Sequence, residues 1–420
     1  VFDAVVLAVS PHANEKLLGI TLVERGRRMI SKAGARRVYV VDSTSAAAAL
    51  VDWDRERGDA DLVVVRAGDQ LVHMPLVKPL LTATGERRAA ITPSGEFAGA
   101  LYLAARHAPD AIAAITSAPA TADRDLASRY GAAATKVPHG DIAVHAATTP
   151  AERKGAAKML LQLLVKAAED SPVSRYIYRP LSRPITRALL HTKITPNQVS
   201  YFVGVLGLAG CVLTALPSQS ALIWGAFLVF VSCIIDGCDG EIARMKLQFS
   251  PFGAWLDTVI DEITQVCYFL AIGYHTYQHH PSTWLGGSIG LGFLCYVATI
   301  YAIYFFSLVV IKQGGSQYYV GDVELVDLDG APALRPRLKV STAPPWLKSV
   351  QTLFLYMIRR DFINVAALVI AFFDGYAIIY AGIWLGTVVA AMITVPEHLK
   401  LRTHLREIRR RGAPLRYVSS

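Results

Sequence analysis

Apolar positions follow two different patterns along this 420-residue chain. Up to about residue 190 they come in short runs. Residues 2–9, 37–42 and 62–67 read as buried strands, while 22–33 carry apolar side chains at helical spacing. Alternating strand and helix patterns predict an α/β domain with a largely parallel sheet. After Asn197 the runs lengthen towards the roughly 20 residues that a membrane-spanning helix needs. Six such spans are placed at about 198–217, 221–243, 252–276, 284–311, 362–373 and 376–395. The fifth is short, and only Asp374-Gly375 separates it from the sixth. Residues 1–7 read as a short strand followed by polar residues, not as a cleavable signal.

Between the two patterns lies a junction. Residues 158–166 continue as a helical run. Arg175, Arg179, Arg183 and Arg187 then recur every four residues, with Ile177, Leu181, Ile185 and Leu189 on another face. That spacing predicts a basic amphipathic helix at a membrane surface; the plainer alternative is a solvated basic linker. Pro180 and Pro184 each remove an amide donor and weaken a regular helix. The expected organisation is an α/β domain over 1–155, a linker and juxtamembrane segment over 156–195, a helical membrane domain over 196–405, and a basic tail over 406–420. Within residues 313–350, Asp322-Val323-Glu324-Leu325-Val326 and Arg337-Leu338-Lys339-Val340, joined through Asp329-Gly330, suggest a small hairpin.

Charge sets an expected topology. Lys and Arg are missing near 217–220, 275–283 and 374–375, and dense in 175–193, 244–246, 312–360 and 400–416. The positive-inside rule then puts both termini on the cytoplasmic side of an inner membrane. The net charge of +9 comes mainly from these membrane-flanking stretches, so anionic lipid headgroups explain it better than nucleic acid does. Cys211, Cys233, Cys238, Cys267 and Cys295 all fall in expected spans without zinc-ligand spacing and read as packing residues. His275, His279 and His280 read as exposed loop histidines on the far side.

The candidate chemistry lies between the second and third spans. Asp236-Gly237-Cys238-Asp239-Gly240-Glu241-Ile242-Ala243-Arg244 is followed, after eight residues, by Gly253 and then Asp257 and Asp261. Asp236, Asp239 and Ala243 share one helix face, and Gly253, Asp257 and Asp261 share a face of the next. Two antiparallel helices can thus point four carboxylates into one pocket. Carboxylates at membrane depth need a partner. Hard divalent cations are the partners that reward this arrangement, and two can share it. Gly240 and Gly253 leave room for close approach, and Arg244 suits a phosphate.

This pattern resembles, position for position, the signature of the CDP-alcohol phosphotransferase family, D-x-x-D-G-x-x-A-R-x8-G-x-x-x-D-x-x-x-D. The resemblance implies two Mg²⁺ or Mn²⁺ ions on Asp236, Asp239 and Asp257, with Asp261 completing the site and acting as general base. It implies a nucleotide pocket at Gly240, Ala243, Arg244 and Gly253, with Asn197 beside the donor unless it merely caps the first span. It also implies a CDP-alcohol donor, lipid or soluble, an acceptor alcohol, and a homodimer in the bilayer. Lys312, Arg359 and Arg360, level with the site, either bind an anionic acceptor or only fix topology.

The first domain resembles the sugar-phosphate nucleotidyltransferases, a Rossmann-type α/β fold, through its strand order and Ala67-Gly68-Asp69. It departs from them where their chemistry lies. The loop Val9-Ser10-Pro11-His12-Ala13-Asn14-Glu15-Lys16 has no glycine to cradle phosphates, and Ala146-Ala147-Thr148-Thr149-Pro150 has no acid. Lys16 and Asp69 read as remnants of a lost site. The whole layout is similar to fused enzymes that make CDP-inositol and condense it with inositol phosphate. The expected function is therefore CDP-alcohol phosphotransfer. The alternatives are a bifunctional enzyme with an active cytidylyltransferase domain and a non-catalytic membrane scaffold.

Overall fold

The computed structural model of the chain describes residues 1–131, 133–164, 171–312, 318–328, 331–337, 356 and 359–418. It divides into two compact units: Val1–Ala167 with Arg187–Ile194 and Glu241–Gln248, and Ala168–Thr186 with Thr195–Gly240 and Phe249–Ser420.

The first unit is built on strands β1 (Phe2–Leu7), β2 (Lys16–Leu17), β3 (Ile20–Thr21), β4 (Val38–Val41), β5 (Asp61–Arg66), β6 (Gln70–Val72), β7 (Arg87–Ile91), β8 (Phe97–Leu103), β9 (Thr135–Pro138) and β10 (Val144–Ala146). Six of them form one sheet in the order β4-β1-β5-β8-β7-β9. β1 runs parallel to β4 and β5, β8 runs antiparallel to both its neighbours, and β9 is parallel to β7. The sheet is therefore mixed, with β8 alone reversed. Helices α1 (Leu22–Lys32), α2 (Thr44–Asp54), α3 (Met74–Thr82), α4 (Ala108–Ser117), α5 (Ala122–Gly131) and α6 (Pro150–Leu161) complete the unit.

Alternation along the central strands explains why both sheet faces are covered. Ala4, Val6, Val63 and Val65 enter one core, with Met29 and Ile30 of α1. Val5, Leu7, Leu62 and Val64 enter the other, with Leu50 of α2 and Ile112 of α4. Thr21 starts α1 by accepting from the Glu24 amide at 3.2 Å, and Thr149 and Glu152 form a capping box on α6.

One polar cluster is buried at the edge of this core. Asp3 is fully buried and accepts from Arg36 and Arg37, each at 2.8 Å. Burial alone would raise its carboxyl, but the two guanidinium hydrogen bonds and charges outweigh it and hold the group below the ordinary carboxylate range. His73 shows the opposite balance of charge. Burial, reinforced by Arg25, pushes its imidazole down to about 4.

Helix α7 (Arg179–Leu190) follows a π-helical turn over Ser174–Tyr178 and carries Pro184 inside it. Its buried stripe is Tyr178, Ser182, Thr186 and Leu190, whereas Leu181 on the expected apolar face is exposed. Tyr178 donates to the Asp361 carbonyl at 3.0 Å, which helps explain why that stripe faces inward.

The second unit contains α8 (Pro196–Thr214), α9 (Gln219–Met245), α10 (Pro251–His279), α11 (Thr283–Phe305), α12 (Arg360–Ala371) and α13 (Tyr376–Arg410). Thr195, not Asn197, caps α8, in a capping box with Gln198. Small residues set how closely helices meet: a Cβ at Gly207 of α8 would lie 2.7 Å from Thr264 of α10. Between α11 and α13, Trp384 donates to the Ser288 carbonyl at 2.8 Å. The five cysteines are free, with Cys211 and Cys238 buried. Of the three histidines expected to be exposed, His279 and His280 are, but His275 is fully buried within α10, with its Nδ1 2.7 Å from the Leu216 carbonyl.

Among the described residues, four helices are long and apolar enough to cross a membrane: Pro196–Thr214, Gln219–Met245, Thr283–Ile311 and Tyr376–Arg410. The other two expected spans are helical but differ. α10 has 29 residues and carries Asp257, Asp261 and Glu262, while α12 has 12 residues. α13 is about 52 Å long at 1.5 Å per residue, more than the ~30 Å hydrocarbon core. Its basic last turns therefore extend beyond the apolar stretch.

The expected hairpin forms with a shifted second strand. β11 (Val323–Leu328) pairs antiparallel with β12 (Ala331–Pro336), ahead of the expected 337–340. Leu334 is the reason: it is fully buried with Phe306, Leu401 and Ile408. Asp329-Gly330 and residues 338–340 lie outside the described residues.

These two ionisable groups predict an acid response of the first unit. Unfolded His73 takes its proton near 6.5 and folded His73 only near 4. The unfolded state therefore binds more protons between those values, and stability falls as pH drops through that window. The Asp3 contribution is present above about 3.9 and is lost only as pH falls through its lower folded value. Protection of β1 and β5 amides in hydrogen exchange, corrected for intrinsic rate, should decline from pH 7 to 4. His73→Phe should flatten that decline, and an unchanged pH response in that variant overturns the assignment. Asp3→Asn should cost on the order of 2–3 kcal/mol at pH 7, below the roughly 3–5 kcal/mol of a fully buried broken pair, because both arginines reach solvent.

Candidate active site

The aspartate motif occupies the facing ends of α9 and α10. Asp236 and Asp239 lie one turn apart near the end of α9. Asp257 and Asp261 lie one turn apart near the start of α10, whose first turn is fixed by Ser250 accepting from the Gly253 amide at 3.0 Å. Asp236, Asp257 and Asp261 each bring a carboxylate oxygen within 4.8 Å of the others. Two separate halves of the motif therefore meet at one point.

Asp239 is held slightly apart. It accepts hydrogen bonds from the Ser200 hydroxyl of α8 and from the Gly240 amide. Ser200 is buried and lies one turn after Asn197, on the same side of α8. Asn197 in turn approaches Gly253: a Cβ there would lie 3.0 Å from the Asn197 Oδ1. The lack of a side chain at Gly253 is thus a requirement of the packing around the motif. Ala243 and Arg244 continue α9 beyond the aspartates.

The three expected basic residues separate. Arg360 starts α12 and reaches the cluster, with its Nη2 3.1 Å from Asp236 and its Nη1 paired with Asp261. Arg359 instead approaches Asp361 at 4.0 Å. Lys312 ends the helical extension of α11 in a left-handed conformation, φ 60°, and is absent from the walls of the cavities at the cluster. A cavity of about 10 Å³ beside Asp236, Asp261 and Arg360 is also walled by Ser232, Gln265 and Asn364. That is room for one water-sized occupant.

The donor set suits a hard cation: carboxylate oxygens only, from rigid helices. Three carboxylates against one guanidinium leave excess negative charge, so the cluster fits divalent ions even with Arg360 in place. Sequence reading did not single out Ser200, Asn364 or Glu262. Ser200 had a usable signal, its one-turn spacing from Asn197. Asn364 had none, since its partner Cys233, at 2.9 Å, lies 131 residues earlier.

The first unit presents a different picture at the expected remnant. Asp69 is paired with Arg66, which also reaches Asp123 at 3.3 Å. They border a cavity of about 130 Å³ with Ser10, Gly68 and Arg124.

Residues 193–371 match the family model described as CDP-alcohol phosphatidyltransferase. A protein of Thermococcus kodakarensis named bifunctional IPC transferase and DIPP synthase is 34% identical over 128 residues, 30% of this chain and 28% of that protein. Its namesake from Aquifex aeolicus is 32% identical over 127 residues, again 30% and 28%. A phosphatidylinositol phosphate synthase of Corynebacterium glutamicum is 36% identical over 89 residues, 21% of this chain and 40% of that protein. The chain thus spans under a third of the length of the first two. A crystal structure of the Mycobacterium tuberculosis phosphatidylinositol phosphate synthase with manganese and citrate aligns with 22% identity and a TM-score of 0.34, covering 53% of this chain and 88% of that one.

The cluster predicts direct metal binding. Mn²⁺ titrated into the purified protein, followed by loss of the free-ion EPR signal, should show saturable binding. Asp257→Asn should weaken it by at least about tenfold, roughly 1.4 kcal/mol. Equal affinity in the variant would show that the carboxylates do not form the ion site.

Proposed function

The chain belongs, over residues 193–371, to the CDP-alcohol phosphatidyltransferase family, and from that premise we propose that it is an integral membrane CDP-alcohol phosphotransferase. The observation that carries the reading is the meeting of Asp236, Asp257 and Asp261 from two helices within 4.8 Å. In this reading Asp236, Asp239, Asp257 and Asp261 hold two Mg²⁺ or Mn²⁺ ions. When bound, these ions neutralise the diphosphate and stabilise the CMP leaving group.

The protein's own residues then have separate tasks. The acceptor hydroxyl oxygen attacks the phosphorus next to the donor alcohol, and its proton passes to a carboxylate oxygen of Asp261. The bond from that phosphorus to the bridging oxygen breaks, CMP leaves with that oxygen, and a phosphodiester joins the two alcohols. Asn197, Gly240, Ala243, Arg244 and Gly253 line the nucleotide side. Arg360, beside Asp261, receives an anionic acceptor, with Arg359 and Lys312 further out. An inositol phosphate-type acceptor is favoured by the names of the Thermococcus and Corynebacterium relatives. Six membrane passages, with both termini and the site cytoplasmic, follow from the placement of Lys and Arg.

A second reading, in which the first unit makes its own CDP-alcohol, has less support. Its loop lacks phosphate-cradling glycines, and Asp69 is tied to Arg66. We take this unit as non-catalytic. Asp69→Asn should then leave CMP release from supplied CDP-alcohol within a fewfold of the parent. A loss beyond about tenfold, 1.4 kcal/mol in barrier, would give it a direct part in the transfer.

The reading is tested by CMP release from CDP-diacylglycerol and CDP-inositol with a panel of acceptors. Activity should require Mg²⁺ or Mn²⁺ and vanish in excess chelator. Asp257→Asn should weaken donor binding and turnover together. Asp261→Asn should lower turnover with donor binding retained, because a base acts only on the acceptor in the transition state. Equal loss of donor binding in both variants would make Asp261 primarily a ligand.

A further inference from the structure

Glu262 is an ionisable residue in the second unit that the transferase reading leaves without a task. It follows Asp261 on α10, so helix geometry turns it roughly 100° away from the aspartate cluster. There it faces α11. Tyr296 donates to one carboxylate oxygen at 2.8 Å and Tyr304 to the other at 3.1 Å. A carboxylate among membrane helices is costly and usually marks a substrate path or a site. Two phenols use only part of its capacity, because an ionised carboxylate offers about four acceptor positions.

The surroundings show what the rest could serve. Glu262 and Tyr296 wall a cavity of about 220 Å³, together with Gln265, Thr299, Thr387 and, at one end, Arg360. Its volume is below the roughly 300–1,000 Å³ of drug-sized sites. It has room for a small hydroxylated body. The polar groups include an acceptor-only carboxylate, an amide and hydroxyls. The isoleucines between them, such as Ile300 and Ile383, offer apolar contact to the C–H faces of a ring. Arg360 also borders the aspartate cluster, and Gln265 walls both cavities. The space is therefore continuous in its lining with the reacting centre.

We infer that this cavity is the subsite for the polyhydroxylated body of the acceptor, and that Glu262, held by Tyr296 and Tyr304, determines specificity by accepting hydrogen bonds from acceptor hydroxyls. The inference rests on the transferase reading. An acceptor carrying a phosphate is oriented by charge: the phosphate is drawn to Arg360 and repelled by Glu262, while the hydroxyl-bearing ring points to Glu262. Glu262 and Tyr296 act on binding, not on the bond-making step. Sites built to hydrogen-bond substrate hydroxyls discriminate strongly against analogues that lack them.

The test uses the full-length protein in lipid nanodiscs, with Mg²⁺ and a fixed CDP-alcohol donor. CMP release is measured with inositol 1-phosphate and with the shorter glycerol 3-phosphate. Glu262→Gln and Tyr296→Phe should each raise KM for inositol 1-phosphate by at least about tenfold, with kcat and donor KM within about threefold. The preference for inositol 1-phosphate over glycerol 3-phosphate in kcat/KM should fall by a similar factor. A purely structural role would lower both acceptors equally and leave that ratio unchanged. An unchanged ratio in both variants, each still binding donor, overturns the subsite alone. Parent protein that releases no CMP with any donor and acceptor overturns the transferase reading and the subsite with it.

Discussion

Charge in a low-dielectric setting is the constraint on which the rest of the second unit depends. Three carboxylates within a few ångströms of one another, on helices flanked by apolar surface, are unstable unless something positive joins them. Arg360 supplies part of that by bridging Asp236 and Asp261, and a divalent ion would supply the remainder. The arginine must come from an element distant in sequence, so α12 has to begin at the level of the cluster. Tyr178 and Ser171 reinforce that placement by hydrogen-bonding Asp361, at 3.0 Å to its carbonyl and 2.7 Å to its carboxylate. Small residues do the complementary work. Gly204 and Gly207 let α8 lie against α10, which brings Ser200 to Asp239. The chemistry of the cluster and the packing of the helices are thus one arrangement described twice.

The first unit pairs its polar residues with one another at the end of its sheet. Its sheet still places Asp69 just beyond β5, beside the start of the loop after β1, where ligands commonly bind in open α/β sheets. Arg66 satisfies both Asp69 and Asp123, and the crowding of Gly68 against Ser10 and the Ala8 backbone narrows the approach. The Arg66–Asp123 pair also ties α5 to the end of β5.

Legibility in the sequence followed the range of each interaction. The central strands and α1 were readable because alternation and helical spacing are local. Most helix ends in the second unit were also close to expectation, since apolar runs and caps lie within a few residues of each other; α13 is the exception, continuing past the expected end at 395 to Arg410 through a polar, basic stretch. The aspartate cluster was legible for a different reason: its fixed spacing encodes two helix faces, so four carboxylates could be brought together on paper, of which Asp236, Asp257 and Asp261 meet within 4.8 Å while Asp239 accepts from Ser200. What the sequence withheld was everything set by packing between distant elements. The buried stripe of α7 is Ser182, Thr186 and Leu190 instead of the expected Leu181, Ile185 and Leu189, and Ser182 lies near Gly237 and Cys238. His275 is buried by contacts from distant residues, the Leu216 carbonyl and the Tyr376 ring. Of Lys312, Arg359 and Arg360, equal in the sequence, only the last meets the acids, and no local pattern distinguishes it.

Helix α10 also shows how one element can serve two purposes without conflict. Asp257 and Asp261, four residues apart, form a stripe towards α9, while Glu262 is rotated onto the side facing α11. A carboxylate on the first stripe shares its charge with the other aspartates and so suits cation binding and proton transfer. A carboxylate on the second is fixed by two phenols and kept out of that exchange, which leaves it suited to accepting hydrogen bonds. Arg360 pairs with the first stripe and also borders the cavity of the second. Adjacent acids in sequence are therefore held in separate surroundings by the 100° step of the helix. Recognition of a substrate can change along one face without disturbing the chemistry held on the other.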